Sequence, residues 1–190
     1  MRIIAGKHRG RAIAAPEGED IRPTADRARQ AVFDLLAHPR GDAGNLLAGA
    51  EVLDAFAGTG AMGLEALSRG AARATFLENA TRAIACIRAN VKALGETERA
   101  SVLLGDATKP PGALKPAGLA FLDPPYGMGL AEPALEALAA RGWLAPGAVV
   151  VVEQEAREAL APPAGFAAFD TRRHGRARFV FLRYATEKAT

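Results

Sequence analysis

The sequence predicts a single α/β domain built on one mostly parallel sheet. Three observations carry this. From residue 50 onward, short apolar runs alternate with segments of helical periodicity. The first run leads directly into a glycine-rich turn and a helix, at Gly58-Thr59-Gly60-Ala61-Met62-Gly63. A later run, Gly118-Leu119-Ala120-Phe121-Leu122, stops at Asp123-Pro124-Pro125-Tyr126. The prolines end the strand and stiffen the backbone beyond it. A carboxylate and an aromatic ring are therefore expected at a strand's carboxyl end, the edge of an open α/β sheet where ligands bind.

Residues 1–14 contain two short apolar stretches around Gly6-Lys7-His8-Arg9-Gly10 and read as a hairpin. Arg2, Lys7, Arg9 and Arg11 are basic, and no acid lies among them. Such a hairpin either guards an exposed edge or grips phosphates. After a polar loop comes Arg22-Pro23-Thr24, with Thr24 read as a helix cap. Ala28, Ala31, Val32, Leu35 and Leu36 give that helix an apolar face, and Pro39 and Gly41 end it. Residues 40–49 are a loose connection between this extension, 1–40, and the core, 50–190.

In the core, strands are expected at Glu51 to Phe56, Ala74 to Leu77, Ser101 to Leu104, Leu119 to Leu122 and Ala148 to Val152. Helices are expected at Gly63 to Arg69, Thr81 to Leu94 and Leu130 to Ala140, with Gly70 and Gly95 as terminators of the first two. Phe166 to Arg172 and Arg178 to Tyr184 read as two further strands joined by a tight basic turn. Phe166, Phe169, Phe179 and Phe181 alternate along them and read as core.

Composition narrows the class. With 190 residues, 49% of them hydrophobic, and charges of both signs, the chain is long enough for a sizeable core and is not disordered. No apolar run approaches the roughly 20 residues of a membrane span, and Arg2-Ile3-Ile4-Ala5-Gly6-Lys7 does not read as a secretory leader. The single cysteine, Cys86, can make neither an internal disulfide nor a cysteine metal cluster. No His/Cys/Asp cluster suggests a metal, and His8, His38 and His174 read as surface residues. A cytosolic monomer is the default expectation. The charge is unevenly spread: net +3 in residues 1–40, −5 in 41–170 and +5 in 171–190. Basic ends on an acidic body suit a polyanion partner, although basic termini also serve solubility alone.

Four motifs carry chemistry. In the first, Asp54-Ala55-Phe56 ends a strand and Gly58 to Gly63 makes the turn into a helix. Glycines let a ligand lie against the backbone. The spacing also satisfies the dinucleotide fingerprint. Asp54, however, would repel a pyrophosphate and can hold an amino group, which favours S-adenosylmethionine over NAD. In the second, Glu78 ends the next strand, where an acid can hydrogen-bond both ribose hydroxyls. In the third, Gly105-Asp106-Ala107 follows the third strand; the carboxylate can accept from an adenine amine, or simply close a turn. The fourth is Asp123-Pro124-Pro125-Tyr126. A nucleobase exocyclic amine is a poor nucleophile because its lone pair is delocalised. A carboxylate and a backbone carbonyl, each accepting one N–H, localise that lone pair and aim it. Tyr126 can stack on a base turned out of its helix. Finally, Arg172-Arg173-His174-Gly175-Arg176-Ala177-Arg178 would rim this edge with positive charge if the sixth strand is parallel to the others and the seventh returns antiparallel. The rival reading is a solvated basic turn.

Taken together, these stretches resemble the RsmD family, bacterial 16S ribosomal RNA guanine-N2 methyltransferases. The resemblance rests on Met1-Arg2-Ile3-Ile4-Ala5-Gly6 with Arg9-Gly10-Arg11, and on Arg22-Pro23-Thr24 with Asp26-Arg27 and Arg29. It rests further on the block from Leu53 to Ala71 and on Phe121-Leu122-Asp123-Pro124-Pro125-Tyr126. Ala25 departs from the usual Ser or Thr, and Gln30 from a frequent Glu. The resemblance implies a Rossmann-like class I methyltransferase fold with a seven-stranded sheet, its last strand antiparallel, and S-adenosylmethionine as donor. It implies a guanine amine of 16S ribosomal RNA as acceptor, within an assembled or assembling small subunit. By position, Thr24, Asp54, Ala55, Phe56, Gly58, Gly60, Glu78, Asp106 and Ala107 would line the donor site. Asp123, Pro124 and Tyr126 would hold the target base, and the two sets of arginines and lysine would meet RNA. Two rival readings stay open: a methyltransferase acting on adenine or on a protein glutamine, and an NAD(P)-dependent oxidoreductase.

Overall fold

The structure is a computed structural model and describes residues 1–15, 23–39 and 44–185, with the backbone alone for 23–25. The elements are α1 (Pro23–Ala37), β1 (Glu51–Ala55), α2 (Ala61–Ser68), β2 (Arg73–Glu78), α3 (Thr81–Leu94) and β3 (Ala100–Leu104). They continue with β4 (Ala117–Leu122), α4 (Ala131–Ala140), β5 (Leu144–Glu155), β6 (Phe166–His174) and β7 (Ala177–Tyr184). One seven-stranded sheet runs in the order β3-β2-β1-β4-β5-β7-β6. β1 pairs in parallel with both β2 and β4, whereas β7 is antiparallel to β5 and to β6. The strand order therefore switches direction between β1 and β4, where α/β sheets open a crevice for ligands.

Both faces of the sheet are covered, and this explains the near-continuous apolar runs. Along β4, Leu119 and Phe121 point to one core, with Phe33, Leu64 and Ile87. Ala120 and Leu122 point to the other, with Leu135, Leu138 and Trp143. Val149 and Val151 divide from Val150 and Val152 in the same way along β5.

Several boundaries differ from expectation. β5 begins at Leu144 rather than Ala148, because Leu144 already pairs with Ala117 before a register shift in the ladder. α2 begins at Ala61, two residues earlier than the spacing predicts. α1 begins at Pro23, a favoured first helical residue, so the backbone of Thr24 lies in the first turn rather than ahead of it. The apolar face of α1 also includes Phe33, fully buried, with its ring 5.3 Å from that of Phe121. Phe169 is not core: it is 50% exposed on the edge strand β6, beside a register shift. The loop expected from residue 15 and part of the 40–49 connection fall outside the described residues.

The N-terminal hairpin forms, with Arg2 bridging Ala12 and the Ile3 N–H donating to the Arg11 carbonyl at 2.9 Å. It does not extend the sheet but docks on α2. The Glu65 carboxylate, 0% exposed, accepts from the Ile4 N–H at 2.8 Å and the Ala5 N–H at 3.0 Å, and from Arg69 Nε at 2.7 Å. Gly6 sits at φ +80°, and a Cβ there would stand 2.0 Å from the Ser68 carbonyl oxygen. His8 corrects the sequence reading: it is buried, its Nε2 2.5 Å from Glu96 Oε1. The turn folds back onto Glu96, which also takes Lys7 and Arg99.

Gly63 sets how closely α2 approaches β2. A Cβ at Gly63 would lie 2.4 Å from Phe76 Cε1, an impossible contact with a fully buried ring. Gly63→Ala should therefore lower stability by about 1–3 kcal/mol, the usual cost of overpacking a core. Urea unfolding would show it as a lower midpoint at unchanged slope.

Candidate functional site

The site lies where β1, β2, β3 and β4 end side by side. After β1 the chain turns at Phe56, whose φ of 57° is the one positive value outside glycine among the described residues. Such a conformation is strained and persists only where surrounding contacts enforce it. Here the Ala57 N–H donates to the Leu77 carbonyl at 3.3 Å, and the Gly60 N–H to the Ala57 carbonyl at 2.7 Å. Gly60, at φ 77°, supplies the N-cap position of α2.

Two carboxylates bracket this turn. Asp54 Oδ2 accepts from the Gly63 N–H at 2.8 Å and so ties the end of β1 to the first turn of α2. Asp54 is buried, and its carboxyl is pushed up to about 7. Burial is the main cause, the Gly63 N–H opposes it, and the negative charge of Glu78 adds to it. Glu78 Oε2 accepts from the Gly58 N–H at 2.9 Å, while Oε1 accepts from the Asn79 and Ala80 N–H groups at 2.9 and 2.8 Å. The Gly105 N–H donates to the Glu78 carbonyl at 2.9 Å, which brings Asp106 alongside. Asp106 Oδ1 accepts from the Thr108 N–H and Oγ1, both at 2.8 Å, and these bonds hold its carboxyl below the usual range. Ala107 beside it is buried. The structure thus gathers Asp54, Phe56, Gly58, Gly60, Glu78, Asp106 and Ala107 on one edge. Ala55 is buried within β1, and the Thr24 side chain lies outside the described residues.

The second half begins one strand over. The Asp123 N–H donates to the Ala55 carbonyl at 3.4 Å, joining the Asp-Pro-Pro-Tyr segment to the end of β1. Asp123 is exposed and Pro124 buried. The Tyr126 ring is 41% exposed, and its hydroxyl donates to Glu153 Oε1 at 2.7 Å. Burial, then the charges of Glu153, Asp123 and Glu155, push the phenol far above its ordinary range. Burial likewise raises the Glu153 carboxyl. The Gly127 N–H donates to Glu158 Oε1, pinning the Tyr126 turn to the segment after β5. Between them lies a groove of about 330 Å³, lined among others by Pro124, Pro125, Leu130, Gln154 and Glu158.

Glu153, Gln154 and Glu158 were not anticipated. The signal was present: Glu153-Gln154-Glu155 abruptly ends an apolar run, as the acids that flagged the other strand ends do.

The basic segments part company. Glu155 of β5 registers with Ala177 of β7, so the β6–β7 turn lies at the same carboxyl edge as Asp123. Arg172 pairs with Asp170 at 2.7 Å, and Arg176 with Glu155 at 3.2 Å. Arg178 turns inward to Gln154, and Arg173 is exposed. The N-terminal turn lies elsewhere. Lys7 meets Glu96 beyond the end of α3, Arg11 Nη2 donates to the Ala93 carbonyl, and the Lys7 N–H donates to the carbonyl of Ser68, the last residue of α2. Since α2 and α3 start at the carboxyl edge, their ends place Lys7, Arg9 and Arg11 at the opposite edge. Arg2 is exposed on the strand leading to that turn.

A reversed β7 inserted between β5 and β6 separates this sheet from dinucleotide-binding sheets of the order 3-2-1-4-5-6. The architecture is the Rossmann-like fold of class I methyltransferases. Comparison with known proteins agrees. A family model described as Conserved hypothetical protein 95 matches residues 1–183. Ribosomal RNA small subunit methyltransferase D of Escherichia coli K12 is 36% identical over 167 residues, 84% of this chain and 77% of that protein. The Haemophilus influenzae protein of the same name is 36% identical over 86% of this chain and 83% of its own length. The solved structure of yhhF from Escherichia coli superposes with a TM-score of 0.82 at 33% identity, covering 98% of this chain and 99% of that one. The chain belongs to this family, the RsmD family.

The raised carboxyl of Asp54 has a consequence for stability. Native Asp54 keeps its proton up to about pH 7, whereas an unfolded aspartate releases it near 3.8. Between these values the native state binds more protons, so this group's contribution falls as pH rises. The Asp54→Asn variant should lack that decline. Urea midpoints of the parent relative to the variant should therefore drop from pH 4 to 7; parallel curves would remove the effect.

Proposed function

We propose that this protein transfers a methyl group from S-adenosylmethionine to the exocyclic N2 amine of a guanine in 16S ribosomal RNA of the small ribosomal subunit. The observation that carries the reading is the junction at the switch point. One backbone hydrogen bond, Asp123 N–H to the Ala55 carbonyl, joins the segment that carries the Asp123 carboxylate to the end of β1, which supports an acceptor site next to a donor site. The names of the relatives support ribosomal RNA as the substrate.

The donor edge suits S-adenosylmethionine. A Cβ at Gly58 would have no atom within 4 Å, so the backbone of the turn is open to close approach. The neighbouring strand ends carry Asp54, Glu78 and Asp106, an acidic set that suits an ammonium, ribose hydroxyls and an adenine amine. The same set repels a pyrophosphate, which argues against an NAD(P) enzyme. S-adenosylmethionine would supply an electrophilic methyl when bound, its S–CH3 bond giving way so that the donor leaves as the neutral thioether. Asp54 would neutralise the donor's ammonium, Glu78 would take the ribose hydroxyls, and Asp106 would take the adenine amine.

On the acceptor side, the exposed Asp123 carboxylate and the Pro124 carbonyl would each accept one N–H of the amine, directing its lone pair toward the donor edge. The prolines hold these two acceptors in fixed relation, so the gain is one of positioning. Tyr126, anchored at its hydroxyl by Glu153, presents its ring for stacking. The amine sheds one proton as the new C–N bond forms, and the solvent-facing Asp123 carboxylate passes it to water.

Asp123→Ala should reduce methyl transfer on the order of a hundredfold or more. Donor binding, read by calorimetry, should stay close to the parent's. Unchanged turnover would remove Asp123 from the mechanism.

A further inference from the structure

Gln154 stands out in the groove beside the Asp-Pro-Pro-Tyr segment. It is 5% exposed, near the end of β5, and shares the groove lining with Pro124 and Pro125. Its Oε1 accepts from Arg178 Nη2 at 2.9 Å. A guanidinium offers donors only, so this bond fixes which way the amide faces: oxygen to Arg178, nitrogen away from it. Among the described residues, no protein acceptor takes the Nε2 hydrogens. Gln154 is buried as a residue, but its Nε2 keeps contact with solvent, so the donor is open to a partner that enters the groove.

The rest of the lining defines that partner. The other polar side chains there are Glu132 and Glu158. Glu158 is engaged by the Gly127 N–H and by the Glu155 N–H at 3.2 Å, and Glu132 by the Ala161 N–H at 3.1 Å. Gln154 is thus the one side-chain donor in a groove whose remaining polar side chains are carboxylates. An anion is disfavoured here, and a neutral group with an acceptor atom fits.

We infer that Gln154 is the specificity-determining residue of the acceptor site, donating from its amide nitrogen to O6 of the target guanine, with Arg178 as the positioning residue that locks the amide's orientation. This rests on the proposed guanine-methylating activity and deepens it. Guanine presents an acceptor at O6, whereas adenine carries an amine at the equivalent atom. A donor fixed in orientation pairs with the first and clashes with the second. Because Arg178 prevents the amide from flipping, Gln154 cannot switch to accept from an amine. A site built to hydrogen-bond one edge rejects an analogue that cannot reciprocate.

The test uses 2,6-diaminopurine, which keeps the reacting N2 amine but carries an amine where guanine carries O6. Small subunits are reconstituted with 16S RNA bearing either guanine or 2,6-diaminopurine at the methylated position, located first by mass spectrometry. The ratio of kcat/KM for the two is compared among the parent, Gln154→Glu and Gln154→Leu. The parent should favour guanine by about tenfold to a hundredfold. Gln154→Glu, which turns a carboxylate oxygen to the groove, should collapse or invert the ratio, and Gln154→Leu should bring it near one. Donor affinity, read by calorimetry, should match the parent in both variants. Equal use of the two bases by the parent would overturn the inference without any variant, and so would a parent-like ratio in Gln154→Glu. Transfer to neither base by the parent would instead overturn the activity on which the inference rests.

Discussion

The whole glycine turn after β1, the edge proposed for the donor, depends on one short bond between a strand end and a helix start. Asp54 Oδ2 receives the Gly63 N–H at 2.8 Å, and that bond can form only because Gly63 lets α2 lie against Phe76. The glycine turn between them is then over-determined. Glu78 holds the Gly58 N–H from the β2 side, and the positive φ of Phe56 is enforced from both ends. Burial of a carboxylate is costly, and the raised carboxyl of Asp54 records that cost. A cation at this edge would relieve it, which is why an acidic residue before the turn suits an ammonium-bearing donor better than a phosphate.

A second set of buried polar contacts fastens the N-terminal hairpin to the far side of α2. Glu65, Ser68 and Asn90 lie on helices, yet their side chains serve backbone groups of residues 4–14. Asn90 Nδ2 donates both to the Ala14 carbonyl and to the Thr59 carbonyl, each at 3.0 Å. The hairpin and the glycine turn are thereby welded to one helix. The basic turn of the hairpin nonetheless points to the edge opposite Asp123, whereas the β6–β7 turn brings positive charge to the Asp123 edge and Lys109 brings it beside Asp106. The acidic strand ends sit at the same edge as that basic turn, an arrangement that fits the proposed substrate, with phosphates at the margin and an amine-bearing group inside.

Most of the fold was legible because its determinants are local. Apolar runs bounded by glycine, proline and acids marked the strands, and the acids that close those runs marked the candidate site. What stayed hidden depends on partners far away in the chain. His8 read as exposed because nothing nearby signals that Glu96, 88 positions on, receives it. Phe33 lies within one turn of residues assigned to the apolar face, yet only the ring of Phe121 explains its complete burial. Phe169 shared the alternation of its neighbours, but the register shift in β6 turned it outward. Gln154 is a common polar residue whose meaning appears only once Arg178 and the two prolines stand beside it.

The central claim is tested most directly by offering methyl-labelled S-adenosylmethionine with three acceptors: small subunits lacking the modification, bare 16S RNA, and DNA. Mass spectrometry of the digested product then locates the label. The account predicts label on the N2 amine of a guanine in the small-subunit RNA. Label confined to DNA, or absent from all three despite tight donor binding, would contradict it.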